Sequence, residues 1–267
     1  METVAAQLKA QSAEDRVFTT RAGIIVLDGA TSHDPSTPPA QRYVDTLGRE
    51  LQNRLDTDRH LSAILADSIR CTASALDLRP GQSPSSTVAL VRIWDDILEV
   101  LVLGDSAVVV GFTDGSHTVM TDDRLTRLGL PESATYKRRL ATGSGFDQQH
   151  RDLLRRLQCK EHRYRNRPGG FWIAEADPEA AQHAITYTCS LKTVAWAIAT
   201  TDGAFDTLCA LKVPWEHIAR NSQDELSELL NQCATWESDA DPDGRALPRS
   251  KRHDDKTIAV IRPQDRR

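Results

Sequence analysis

The stretch Gly23-Ile24-Ile25-Val26-Leu27-Asp28-Gly29 decides the fold. An uninterrupted apolar run such as Ile24–Leu27 is typical of a strand that is covered on both of its faces. A strand of this kind lies centrally, so the sequence predicts apolar layers above and below it. The run ends abruptly at a carboxylate, Asp28. An isolated Asp-Gly pair indicates no more than a turn, and only its recurrence elsewhere in the chain gives it further meaning.

The same juxtaposition of an apolar run and acidic residues recurs: Leu98–Leu103 before Gly104-Asp105, Val194–Ala199 before Thr200-Thr201-Asp202, and Ile258–Ile261 after Asp254-Asp255-Lys256-Thr257. Acids at the ends of several central strands can converge on one patch. Converging carboxylates repel each other and are costly to remove from water, and a cation is the usual remedy. An all-oxygen ligand set suits Mg²⁺ or Mn²⁺. Two such ions, about 3.5–4 Å apart, can hold a hydroxide and clamp a phosphoryl group.

Composition sets the class of protein. The chain has 267 residues, of which 39% are hydrophobic, and this suits a single globular domain over residues 1–267. No apolar run approaches the ~20 residues that span a bilayer, and the polar first residues predict no secretory signal. The net charge of −5 gives no reason to expect nucleic acid or a membrane as a partner. The five cysteines form no CxxC pair, which is typical of reduced thiols in a cytoplasmic protein.

Local patterns predict an α+β chain rather than alternating β-α-β units. Strands are expected in two blocks: Val17–Thr20, Gly23–Leu27, Ser86–Trp94, Ile97–Leu103, Ser106–Phe112 and His117–Thr121, then Gly170–Glu175, Ala184–Cys189, Thr193–Thr200 and Lys256–Arg262. Apolar residues at helical spacing predict helices around them, at 43–55, 61–72, parts of 123–167 and 224–236. Short turns such as Asp114-Gly115 between successive strands predict antiparallel pairing.

An ordered series of short motifs spans nearly the whole chain: Glu14-Asp15, Asp28-Gly29, Ser86-Thr87, Gly104-Asp105-Ser106, Thr201-Asp202-Gly203 and Asp254-Asp255-Lys256-Thr257. In order and spacing, this series resembles the metal-dependent protein serine/threonine phosphatases of type 2C. The segments around Glu14, Asp28 and Trp172–Asp177 are most similar to a compact bacterial, actinobacterial-type branch. The resemblance implies two antiparallel β-sheets packed face to face, with helices on the outside. It also implies a signalling hydrolase that removes phosphate from phosphoserine or phosphothreonine in a protein substrate.

The resemblance further implies which residues carry the chemistry. Asp28 would bridge two ions, Mg²⁺ or Mn²⁺, and the carbonyl of Gly29 would help to hold one of them. Asp202 and Asp254 would complete the shell of the first ion. The catalytic residues would therefore be Asp28, Asp202 and Asp254, because the water that bridges the metals would attack phosphorus directly, without a covalent phosphoenzyme.

Other acids would support this metal site. Glu14 would reach the second metal directly or through water, and Asp15 would support the waters. Asp105 would belong to an optional third metal site or lie behind the ligands. With the final motif anchored on Thr257, the resemblance implies that Asp254 is its metal ligand. Successive residues entering a strand face opposite sides, so Asp255 is not expected to meet the same ion. Asp255 would then cap nearby backbone amides or orient a metal-bound water.

The sequence departs from the family pattern around the substrate phosphate. Many members have an arginine a few residues before the Glu-Asp pair, whereas only Lys9 is available in this chain. Lys9 is therefore the expected substrate-binding residue, although a lysine attracts phosphate without gripping it bidentately; the alternative is a solvated surface lysine. Where eukaryotic members often have a histidine suited to protonating the leaving group, this chain has Ala30, and His33 could take that role.

Two alternatives stay open. The departures, which include Ala13 in place of an asparagine, favour a catalytically weak or inactive pseudo-phosphatase that binds a phosphoprotein or another partner, whereas the retained acids favour an enzyme. The arginines at 163, 165 and 167 would share one side of an extended segment. There they could bind a phosphorylated or acidic partner, or form an ordinary solvated face.

Overall fold

The computed structural model describes residues 1–11, 13–30 and 37–263, and its strands pair in two antiparallel sheets. The strands are β1 (Glu2–Leu8), β2 (Arg16–Thr19), β3 (Gly23–Ala30), β4 (Ser85–Trp94), β5 (Ile97–Leu103), β6 (Ala107–Phe112), β7 (His117–Thr121), β8 (Ile185–Ser190), β9 (Val194–Thr200) and β10 (Lys256–Arg262). One sheet has the strand order β1-β10-β9-β6-β7, and the other has the order β2-β3-β4-β5-β8.

Helices cover the outer faces of both sheets. The α-helices in the described ranges are α1 (Ala40–Gln52), α2 (Leu61–Ala75), α3 (Arg124–Arg127), α4 (Pro131–Ala141), α5 (Gln148–Glu161), α6 (Asp202–Ala210), α7 (Trp215–Ile218) and α8 (Gln223–Asp239). The pair α1 and α2 packs on the sheet that contains β3, and α6, α7 and α8 pack on the sheet that contains β9. Within the described ranges, no helix is long and apolar enough to cross a membrane.

The decisive strand β3 is covered on both faces. Ile24 and Val26 point between the sheets, where they join a core that includes Val108 of the opposite sheet. Ile25 and Leu27 point the other way and pack with residues of α1 and α2. Side chains of a strand alternate between its two faces, so a strand buried on both sides needs an apolar residue at every position. This confirms the central strand and the face-to-face sheets predicted from the sequence.

The helical pair α4 and α5 forms a hairpin around a small apolar cluster: Tyr136, Leu140, Leu153 and Leu157. Asp147 caps the start of α5 by accepting a hydrogen bond from the amide of His150 at 2.7 Å. The His150 ring lies 2.8 Å, Nε2 to O, from the carbonyl of Ser250. The hairpin is therefore attached to the loop that precedes β10.

One predicted strand, Gly170–Glu175, is wrong. Its apolar residues are buried, but only isolated bridges form, at Phe171 and at Ala174. The amide of Ile173 donates instead to the side-chain oxygen of Asn166 at 2.9 Å. Trp172 and Ala174 are buried in the core with residues of α1 and α2, and this burial gives the segment the same apolar pattern that a strand would have.

Two differences at strand ends bear on the functional site. The unpredicted β1 (Glu2–Leu8) is an edge strand whose side chains are mostly half-buried, so its sequence pattern is weak. It pairs along its full length with β10. The strand β3 continues through Asp28 to Ala30, and Asp28 lies opposite Thr87 of β4. Asp28 is therefore held within the sheet and not on a turn that follows it.

Candidate metal centre

The acidic residues singled out in the sequence lie at one end of the sandwich. Because neighbouring strands run in opposite directions, the end of one strand lies beside the start of the next. This places the end of β9 next to the beginning of β10, and the end of β3 next to the beginning of β2. The acids occupy these positions: Glu14 and Asp15 before β2, Asp28 in β3, Asp105 between β5 and β6, Asp202 after β9, and Asp254 and Asp255 before β10.

Asp15 is buried and joins three segments of the chain. Its Oδ2 accepts hydrogen bonds from the hydroxyls of Thr201 and Thr257, each at 2.8 Å. The amide of Thr257 donates to Thr201 Oγ1 at 3.0 Å, which closes the network. Burial raises the pKa of Asp15 to about 7; the two hydroxyls oppose this rise, and the charges of Asp255 and Asp202 add to it. Asp15 thus holds the residue before Asp202 and the start of β10 in place.

Asp254 and Asp255 face different surroundings. Asp255 is buried and accepts hydrogen bonds from the backbone amides of Ala10 and Glu14, both at 2.5 Å. Asp254 lines a cavity, and its Oδ1 accepts a hydrogen bond from Lys251 Nζ at 2.8 Å. The backbone-amide contacts expected of Asp255 are therefore present. The assignment of Asp254 as the metal ligand stays a prediction.

The carboxyl groups at this end are crowded. Burial raises the pKa of Asp28 well above its ordinary range, and the charges of Asp15, Asp202 and Asp254 raise it further. Burial also raises the pKa of Asp105 to about 7, and Asp202 adds to that rise. Proton uptake is favoured here because each additional negative charge is costly in a buried cluster. A divalent cation would remove the same cost.

Two adjoining cavities open over the acids. The smaller cavity, about 210 Å³, is lined by residues from both sheets and from the covering loops: Asp28, Gly29, Asp105, Asp202, Asp254, Lys251, Arg165 and Glu161, among others. The larger one, about 300 Å³, extends between the α4–α5 hairpin and the loop before β10. Asp105, Asp202 and Asp254 line both cavities. The acids are therefore reachable by a small ligand.

The residues predicted from the sequence divide into two groups. Those that line the smaller cavity are Asp28, Gly29, Asp105, Asp202 and Asp254. Glu14, Asp15 and Asp255 are buried beside it, and a Cβ added to Gly29 would lie 3.0 Å from the Cβ of Glu14. Lys9 is exposed and lines neither cavity. His33 lies outside the described residues.

Sequence reasoning missed several charged residues of the site, of which Asp206 and Lys251 interact with the predicted acids. Asp206 lies four residues after Asp202 on α6 and lines the larger cavity; burial and Asp202 raise its pKa to about 6. The i, i+4 spacing on a helix could have indicated it. Lys251 lies in an irregular polar loop, where no sequence pattern marks it. Burial opposes its charge, but Asp254, Asp28 and Glu14 raise its pKa.

The donor set fits a hard divalent cation, because it consists of carboxylate oxygens and one backbone carbonyl. Over the described ranges, no group of three or more His, Cys, Asp and Glu side chains is already placed so as to hold a metal ion. Lys251 donates a hydrogen bond to Asp254, and Asp202 is within hydrogen-bonding reach of Asp28. Binding would therefore require these side chains to turn toward the cation.

Comparison with known proteins agrees with this architecture. A fold similar to this one is found in a bacterial serine phosphatase, with 13% sequence identity, a TM-score of 0.60, and coverage of 100% of this chain and 99% of the other. The serine/threonine phosphatase Stp1 from Staphylococcus aureus gives 11% identity, a TM-score of 0.58, and coverage of 98% and 95%.

The catalytic domain of the serine/threonine protein phosphatase PstP, in complex with 2 manganese ions, gives 16% identity, a TM-score of 0.50, and coverage of 97% and 96%. No curated protein sequence matches the chain significantly. At these identities the structural likeness concerns the fold alone. The sequence model for protein phosphatase 2C matches residues 9–232, which include most of the acidic motifs described above. Because this match covers most of the 267 residues, the chain belongs to the protein phosphatase 2C family.

Proposed function

We propose that residues 1–267 form a single phosphatase domain that hydrolyses phosphoserine and phosphothreonine monoesters in proteins, with two divalent cations, Mg²⁺ or Mn²⁺. One observation carries the proposal: half-buried carboxyl groups from both sheets line one accessible cavity, and the pKa values of Asp28 and Asp105 among them are raised. Unpaired buried carboxylates are costly, and a cation site explains why a fold would collect them. The 2 manganese ions of the similar PstP structure support this view.

Each acid has a proposed task. Asp28 and Gly29 both line the cavity; Asp28 would be shared by the two cations, and the Gly29 carbonyl would help to hold one of them. Asp202 and Asp254 would hold the first cation, and Glu14 the second. Asp105 would hold an optional third cation or support the ligands of the other two. Bound divalent cations supply Lewis acidity, which lowers the pKa of water and neutralises phosphoryl oxygens.

Asp15 and Asp255 would act on the shape of the site. Asp15 fixes Thr201 and Thr257, the neighbours of the cavity-lining residues, through two hydroxyl contacts. Asp255 fixes the loop before Glu14 through two backbone amides. Residues that orient ligands in this way commonly matter for metal affinity even without touching the metal.

The test combines metal binding with turnover. Millimolar Mn²⁺ should raise the melting temperature by several degrees, because a ligand that binds only the folded state stabilises it by mass action. The same concentration should start hydrolysis of p-nitrophenyl phosphate and of a phosphoserine peptide. Asp28→Asn should remove most of the thermal shift and nearly all turnover.

The two readouts have separate meanings. A thermal shift without hydrolysis of either substrate would contradict the enzyme and favour the non-catalytic phosphoprotein-binding alternative. The absence of a thermal shift in the folded wild-type protein would contradict the metal site itself.

A further inference from the structure

Arg165 lines the smaller cavity together with Asp28, Asp202 and Asp254. Its Nε is buried and makes no hydrogen bond. Burial lowers the pKa of Arg165, and Glu175 and Glu161 oppose that change through their charges. An arginine remains charged in proteins, so this is a cation turned toward the acidic cavity with unused donors.

The neighbouring carboxylate of Glu175 does not satisfy these donors. It is buried and accepts hydrogen bonds from the amide of Gly81 at 3.1 Å and from the hydroxyl of Ser83 at 2.9 Å. These contacts tie Glu175 to the loop before β4. Arg165 therefore has opposite charge nearby, which favours its position, but its N–H groups are left for another acceptor.

The backbone fixes Arg165 at this place. Residues on both sides of it bond to Phe171: the Phe171 amide donates to the carbonyl of Tyr164 at 3.1 Å, and the Asn166 amide donates to the carbonyl of Phe171 at 2.8 Å. The flanking arginines of the alternating series, Arg163 and Arg167, are exposed. Of the three, Arg165 alone lines the cavity with Asp28. The three arginines therefore do not form one common basic surface, and they are not all exposed to solvent.

A buried N–H donor without an acceptor, such as Nε of the half-buried Arg165, is costly unless a ligand supplies one. The planar fork of arginine matches two oxygens of a phosphoryl group and holds them with paired, charge-assisted hydrogen bonds. Arg165 stands in the wall of the same cavity as the acids. A phosphate dianion would then have Arg165 on one side and the cations held by those acids on the other. Its negative charge would be neutralised from both sides. Lys9 lies outside this cavity, and Lys251 already pairs with Asp254.

We infer that Arg165 binds the phosphoryl oxygens of the substrate and so supplies the arginine that is missing before Glu14-Asp15. The inference rests on the proposed function, since it concerns the same cavity. It assigns the anion-holding role to the segment after α5 and not to the loop after β1.

The experiment measures phosphate affinity apart from turnover. Inorganic phosphate is titrated calorimetrically into the Mg²⁺-loaded wild type and into Arg165→Ala, Arg165→Lys, Arg163→Ala and Arg167→Ala. KM and kcat for p-nitrophenyl phosphate are measured for the same proteins. Melting temperatures with and without Mn²⁺ establish that each variant is folded and still binds metal.

Arg165→Ala should weaken phosphate binding and raise KM by about tenfold to a hundredfold, as expected for the loss of one or two charge-assisted hydrogen bonds, with kcat changed much less. Arg165→Lys should recover part of the affinity, because it restores the charge without the fork. Arg163→Ala and Arg167→Ala should match the wild type.

Unchanged phosphate affinity in Arg165→Ala would overturn the inference, and so would equal losses in the Arg163 and Arg167 variants. If Arg165→Ala is unfolded, Arg165→Lys decides: wild-type phosphate affinity and KM in that variant would contradict a bidentate contact. A wild type that binds phosphate through Arg165 but hydrolyses nothing would contradict the proposed function and leave the inference supported.

Discussion

Asp254 and Asp255 show how adjacent residues of the same type take different tasks. Asp255 accepts hydrogen bonds from two backbone amides, whereas Asp254 faces the cavity and a lysine. An asparagine at 255 keeps one acceptor oxygen but turns an amino group toward a backbone donor. We therefore expect Asp255→Asn to lose stability, by about 1–3 kcal/mol for one buried hydrogen bond, and to keep substantial activity.

For Asp254→Asn we expect the opposite: little loss of stability without metal, and nearly complete loss of activity and of the Mn²⁺-induced thermal shift. Urea denaturation, thermal melts with Mn²⁺ and phosphatase assays on both variants check the pair. The reverse ranking would mean that Asp255 is the ligand and that the register of the motif is displaced by one residue.

At the level of single residues, the sequence was most informative where an aspartate stands at the end of an apolar strand. Asp28, Asp202 and Asp254 were expected to converge, and they line one cavity. Arg165 and Lys251 could not be assigned in this way, because both lie in irregular segments. Their surroundings depend on how loops distant in the chain fold over the sheets, and no local periodicity records that.

At the scale of elements, a buried ion pair locks α8 to β10. Lys256 Nζ lies 2.7 Å from Glu237 Oε1, and both side chains are about 1–2% exposed. Glu237 also accepts a hydrogen bond from the Thr207 hydroxyl on α6 at 3.0 Å. Because Lys256 directly follows the Asp254-Asp255 pair, this contact fixes the segment from which both acids project.

Glu237→Gln should leave Lys256 buried without a countercharge, and such a loss typically costs about 3–5 kcal/mol. The free energy of unfolding from urea denaturation measures this. The matched control is Glu216→Gln, which breaks the exposed pair with Arg220 on the surface and should cost about 0–1 kcal/mol. Equal effects of the two substitutions would show that the buried pair does not stabilise this junction.

Elements were predictable where their pattern was strong. The bounds of β5, β7 and β10 are those expected from alternation and turns. Gly170–Glu175 was misassigned because apolar content records burial and not hydrogen bonding. The edge strand β1 was missed because its half-buried small residues give little contrast between faces. Pairing with β10, at the far end of the sequence, is what makes it a strand.

At the scale of the whole molecule, the two sheets share one apolar core, to which β3, β4, β5, β6, β9 and β10 all contribute. Loss of either sheet would expose that core. We therefore expect residues 1–267 to unfold in one cooperative thermal transition, with equal calorimetric and van't Hoff enthalpies. Two resolved transitions would contradict the single-domain proposal. In that case, the transition at the lower temperature would be assigned first to the α4–α5 hairpin, which has a separate apolar cluster.

The acidic end should also make stability depend on pH. Burial raises the pKa values of Asp15 and Asp105 to about 7, whereas an aspartate in an unfolded chain has a pKa of about 3.9. Between these values the folded protein without metal binds more protons than the unfolded chain. The stability contributed by these groups is therefore present below about pH 4 and is lost as the pH rises through about 7.

In EDTA, the melting temperature should accordingly decrease as the pH is raised from 5.5 to 7.5. The rise in melting temperature that Mn²⁺ induces should be larger at pH 7.5, because the cation favours the ionised carboxylates whose repulsion costs stability. Asp105→Asn should flatten the pH dependence in EDTA, since it removes one of the groups that titrate in this range. Asp114→Asn, at an exposed turn where hydrogen bonds from Ser116 keep the pKa low, should leave the slope unchanged. A melting temperature in EDTA that stays constant or rises over this range would show that the acids are not crowded in the metal-free protein.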